Sequence, residues 1–204
     1  MHRTAFAVAS AVALTNPFAS AQITVEDDVI FGAESITRDA QQDLDFLDVP
    51  LSVGRSYNDV SGQFGPGGDF EGWRHATLEE VITLVNNWGF GPSVPFPSPG
   101  DTSGLVNSDS SGTSLAQLAS RLGITFVLPG SGSFTFGLVE LRDGGTLLPN
   151  IALTGSGFSW ADYPPGSVAN DAITGHFLVR TVPAPGALAL FAGAGLAVLR
   201  RRRA

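Results

Sequence analysis

The sequence predicts a single α+β domain, with short helices in its first half and antiparallel strands in its second. Three observations carry this expectation. A capped amphipathic segment runs from Thr77 to Gly89, and a shorter helical pattern follows at 114–122. Beyond residue 124 the apolar period changes from about 3.6 to two. The 204 residues suit one domain, and at 43% hydrophobic they supply a core.

The elements follow in order. Ile23 and Val25, then Val29, Ile30 and Phe31, then Leu44, Phe46, Leu47 and Val49 suggest short strands; Asp43, Asp45 and Asp48 interleave with the last group, so one face is expected to be wet. A helical turn is expected from Ser56, carrying Tyr57 and Val60, and Gly65–Gly72 is a glycine-rich turn. Thr77 and Glu80 have capping-box spacing, Leu78, Val81, Ile82, Val85 and Trp88 share a face, and Gly89 stops the helix. Residues 91–113, rich in Pro, Gly and Ser, read as a long loop. Leu115, Leu118, Ala119 and Leu122 mark the inward side of the second helix. Strands are expected at 124–128, 133–141, 150–154, 158–163 and 173–180, with Phe134, Phe136 and Leu138 on a buried face.

Charge is unevenly placed. Five of the eleven basic residues, all Arg, lie at the termini: Arg3 and Arg200 to Arg203. Between Gln22 and Val182, six Arg face 19 acidic residues, a formal charge of −13. So acidic a body repels phosphate backbones, which argues against nucleic-acid binding. The absence of Cys excludes disulfides, thiolate metal sites and cysteine nucleophiles.

The termini carry addresses. Arg3, an apolar run from Thr4 to Leu14 and the small-residue site Ala19-Ser20-Ala21 form a signal-peptide pattern, with signal peptidase expected to cut after Ala21. At the other end Val182-Pro183-Ala184-Pro185-Gly186 precedes an apolar run, Ala187 to Leu199, and then Arg200, Arg201, Arg202 and Arg203. Gly186 to Leu199 covers only about 21 Å as a helix, against a hydrocarbon core of about 30 Å, so it is a weak and transient anchor. The arginines stop transfer and stay cytoplasmic, leaving everything upstream outside. This tail resembles the PEP-CTERM sorting signal, with Ala184 standing where the motif usually has Glu. The resemblance implies recognition and cutting by an exosortase, a membrane-embedded cysteine transpeptidase. It implies a destination at the outer surface or in the extracellular matrix and assigns no activity; similar tails occur on ice-binding proteins among others.

Three blocks of the body, Leu44-Asp45-Phe46-Leu47-Asp48, Ser56-Tyr57-Asn58-Asp59-Val60 and Gly72-Trp73-Arg74-His75-Ala76-Thr77 with Glu80-Val81, are similar to a body that recurs ahead of PEP-CTERM tails and closes on Leu178-Val179-Arg180. Phe46 stands for the usual Trp and His75 for an aromatic. The Trp-Arg-x-x-Thr-x-x-Glu pattern is also similar to surface domains of C-type-lectin-like or sulfatase-modifying-like fold, an analogy that carries no function. Trp73 is expected to pack under the capped helix, and Arg74 and Arg180 to pair with strand carboxylates. Trp73, Arg74 and His75 read first as structure, with ligand contact as the alternative.

For chemistry the sequence offers little. His75 and His176 lack metal-ligand spacing, no nucleophile elbow or phosphate loop is present, and no cofactor or metal is implied. Asp69 with Glu71, and Glu79 with Glu80, are nominal paired carboxylates, although Glu79 and Glu80 suit a helix N-terminus. Asp43, Asp45 and Asp48 do not form an EF-hand, and a looser calcium site in the long loop stays open. The expectation is a non-enzymatic exported protein binding a glycan, such as an extracellular polysaccharide, or a peptide; the alternatives are a carboxylate-dependent extracellular hydrolase and a purely structural role.

Overall fold

The computed structural model describes residues 23–89, 93–98, 100–107, 115–130, 132–141, 148–154, 157–163 and 172–182. Of these, 42% are strand and 20% helix, in two sheets that are antiparallel but for one pairing. This corrects the expected α+β division, and with it the C-type-lectin-like analogy. Strands open the chain, and the helices are inserted between them.

The first sheet has the order β1-β2-β3-β11-β4, formed by β1 (Ile23–Asp28), β2 (Gly32–Asp39), β3 (Leu44–Leu47), β11 (Leu178–Thr181) and β4 (Arg74–His75). Val29, Ile30 and Phe31, expected in a strand, form the β1–β2 turn instead: the Asp28 carboxylate accepts the Ile30 and Phe31 N–H groups and closes it. A 3₁₀ turn, Val49–Ser52, and helix α1 (Tyr57–Ser61) follow β3, α1 being capped by the Ser56 side chain. Helix α2 (Leu78–Asn87) carries the full Thr77–Glu80 capping box and buries Leu78, Val81, Ile82, Leu84 and Val85.

The second sheet has the order β10-β7-β8-β9-β5, with β6 beside β7. Its strands are β5 (Ser103–Asn107), β6 (Phe126–Leu128), β7 (Gly132–Leu138), β8 (Leu148–Thr154), β9 (Gly157–Tyr163) and β10 (Thr174–His176). β5 lies inside the segment expected as loop; pairing with β9 over its whole length overrides the local Gly/Ser composition. Helix α3 (Leu115–Arg121) packs on the inner face, where Thr135 Oγ1 lies 3.0 Å from the Ala119 carbonyl and 2.8 Å from that of Gly123.

The strand expected at 173–180 is two strands. β10 runs parallel to β7 in the second sheet, and β11 joins β3 and β4 in the first. The switch is Phe177, whose N–H donates to the Leu138 carbonyl and whose carbonyl accepts the Ala76 N–H. One buried cluster fills the space between the sheets, from Leu44, Phe46 and Val179 through α2 and α3 to Ile151, Leu153, Phe158 and Trp160. A smaller cluster, Ile36, Leu47, Val60, Phe70, Trp73 and Leu178, covers the other face of the first sheet. Trp73 is therefore on the face opposite α2, not under it.

The wet face expected around Asp43, Asp45 and Asp48 is also corrected, since all four residues of β3 are buried. No helix among the described residues is long and apolar enough to cross a membrane. The C-terminal apolar helix, expected over 187–199, lies outside the described residues, as do Ala19, Ala21, Pro183, Pro185, Gly186 and Arg200, Arg201, Arg202 and Arg203.

Candidate functional site

The two body histidines, 101 residues apart in sequence, meet in the interior. His75 ends β4 and His176 ends β10, and Nε2 of the first lies 3.0 Å from Nδ1 of the second. His176 Nε2 lies 3.0 Å from the Arg55 carbonyl, which can only accept. Nε2 of His176 therefore carries the hydrogen, Nδ1 accepts, and His75 donates from Nε2. Tyr57 stacks on His75 with centroids 4.2 Å apart, Phe64 meets its edge, and Ser52 Oγ accepts the His176 N–H. Burial, together with the neighbouring His176, holds His75 down to about 3; burial also lowers His176, partly offset by its bond to the Arg55 carbonyl. Both rings are neutral at neutral pH, and together they pin the 3₁₀ turn and α1 to β4 and β10.

Trp73 lies 4.6 Å beneath the Arg180 guanidinium, on the outward face of the first sheet. Arg180 donates to Asp28 at 2.8 Å and Asp45 at 3.2 Å, and Arg38 reaches Asp45 at 2.7 Å. Asp45, 2% exposed, is thus held between two guanidinium groups. Burial alone would push Asp28 up, but the Ile30 and Phe31 N–H groups and Arg180 outweigh it and leave this carboxyl below its usual range. Arg180 pairs with strand carboxylates, as expected; Arg74 instead grips Glu80 of α2 with two bonds of 2.8 and 2.6 Å. Of the three candidate ligand contacts, Trp73 and His75 are buried at 4% exposure and Arg74 is exposed and paired.

The nominal carboxylate pairs are dispersed among other tasks. Asp69 holds Arg55, Glu71 accepts the Gly67 N–H, and Glu80 serves both the cap and Arg74. Among the described residues no group of three or more His, Asp or Glu is placed to hold a metal ion. Asp48 keeps one carboxylate oxygen buried without a hydrogen-bond partner, and burial raises the group to about 6.

Two surface features were missed by the sequence reading. A cleft of about 200 Å³ lies beside β5, lined by Val94, Phe96, Asp101, Phe158 and Trp160 among others. The second is the outer face of the second sheet. Phe134 and Phe136 were expected inside, but Thr135 and Gly137 take the inward positions: Thr135 reaches the α3 carbonyls, and a side chain on Gly137 would collide with Phe177. Phe134 and Phe136 therefore point outward, half-buried, with ring planes parallel within 5° and centroids 5.5 Å apart, and Phe126 beside them at 6.0 and 6.4 Å. The alternation was legible; which side faced the core was not.

No family model, curated protein or solved structure matches the chain.

Proposed function

We propose that this is an exported, non-catalytic surface protein whose β-rich body is delivered by a cleavable N-terminal signal and a PEP-CTERM-type tail processed by an exosortase. The observation that supports this reading is where the two signals meet the body. β1 begins at Ile23, two residues beyond Ala21, and β11 ends at Thr181, next to Val182, the first residue of the sorting motif. Ile23, Asp39, Leu44 and Thr181 are successive cross-strand neighbours in one row of the first sheet. Both signals thus leave the same end of the sheet, three strand spacings or about 14 Å apart. Membrane segments on both ends can then be engaged from one side while the body folds on the other.

Cell fractionation with mass spectrometry of both mature termini, in cells with and without the exosortase, tests the reading. The expected product is extracellular, begins at Gln22 and ends within 182–186 only when the enzyme is present. Full-length chain in the cytosol, with both termini intact, overturns it.

A further inference from the structure

Away from β10, whose outward His176 is buried under the 3₁₀ turn and α1, the outer face of the second sheet carries no charge. Its outward positions are Leu128 and Phe126 on β6, Phe134 and Phe136 on β7, Asn150, Ala152 and Thr154 on β8, Ser159, Ala161 and Tyr163 on β9, and Ser103 and Leu105 on β5. None is Asp, Glu, Arg or His, in a body with a formal charge of −13. Leu105 is 68% exposed, Leu128 43% and Tyr163 40%. The centre of the face is low, being made of Ala, Ser and Thr, and the aromatic row stands along one side of it.

We propose that this face binds an uncharged polysaccharide, laid across β8 and β9 against the Phe126, Phe134 and Phe136 row. Three arguments select that occupant. First, a face whose exposed positions carry no charge at neutral pH, on so acidic a body, attracts no ionic ligand, and the surrounding charge repels polyanions. Second, the residues match a sugar polymer: aromatic rings for the apolar C–H surfaces, and Thr154 and Ser159 for the hydroxyls. Third, the area is too small for a second copy of the chain. Five strands at about 4.8 Å with two or three outward residues each give roughly 24 by 16 Å, about 400 Å², half of the ~800 Å² per partner typical of stable protein interfaces. This inference gives a ligand class to the surface-protein reading and rests on it only for where the ligand is met.

The test uses the purified full chain in mild detergent, with retention measured on cellulose and agarose beads and on alginate beads as an acidic control. The expected result is retention on one or both uncharged matrices, the same at about 0.05 and 1 M NaCl, and none on alginate. The Phe134→Ser/Phe136→Ser double variant should bind about tenfold more weakly or worse. Leu105→Ser, on the exposed edge strand, provides a second variant should the double one fail to fold. No retention on either uncharged matrix, retention on alginate abolished by salt, or equal binding by folded variants overturns the proposal. So does a dimer in sedimentation velocity that the same variants dissociate, which would make the face a self-interface. Binding is read on purified protein, so failure of the sorting reading appears separately, as unprocessed termini.

Discussion

The two sheets solve the same problem with opposite materials. The first is covered on both faces and wired with charge: Asp45 between Arg38 and Arg180, Asp39 fully buried and accepting Gln42 and Asn87, and the His75–His176 contact at its edge. The second is largely apolar on its inner face, uncharged on its outer face away from β10, and relies on close approach, with Gly137 and Gly175 making room for Phe177 and Val49. Charged residues in a strand are therefore no guide to a wet face here; the acidic strand is the deepest in its sheet, and the apolar one shows its rings to water.

The contrast can be broken most strongly at Asp45. Asp45→Ala leaves Arg38 without its near partner and removes one of two carboxylates from Arg180, and breaking such a buried pair costs about 3–5 kcal/mol. The value should fall toward the lower end, since both Arg side chains are one-third exposed. Urea denaturation measures the loss, and hydrogen exchange should rise in β3 and β11 before β8 and β9.

Gly175→Ala attacks the other device. A methyl group there collides with the Val49 backbone carbonyl, which cannot rotate away. Overpacking of this kind costs about 1–3 kcal/mol, read from the urea midpoint and accompanied by no change in pH dependence.

The pH dependence is the smallest effect and the sharpest discriminator. His75 and His176 are lowered in the folded state, so the unfolded chain binds their protons first. The His75 contribution is fully present above pH 6.5 and is lost as the pH falls toward 3, and that of His176 falls in the same direction. Asp48 is raised to about 6 and acts oppositely, favouring the folded state as the pH falls from 6 to 3.8. Asp48 therefore opposes the two histidines in that window and makes the acid loss of stability shallower than they alone would give. Asp48→Asn should steepen the acid limb, while a His176→Phe substitution should flatten it; unfolding midpoints measured between pH 4 and 7 check both.

Legibility followed the range of the interactions. The capping box of α2 and the Ser56 cap of α1 need partners three residues away, so the sequence locates them. The division of β10 from β11 depends on where two sheet edges lie, and nothing within residues 173–180 records it. The histidine pair was equally hidden, because 101 residues separate its members. Trp73 and His75, singled out as possible ligand contacts, are buried, and their partners, Arg180 and His176, are supplied by the last two strands.

By itself the sequence determined the helices and the alternation of the strands, because each is written in residues a few positions apart. Only the tertiary structure decided which side of each strand became interior. A period of two specifies two faces and no preference between them; α3 took the Thr135 hydroxyl, Phe177 took the space over Gly137, and the phenylalanines were left outside.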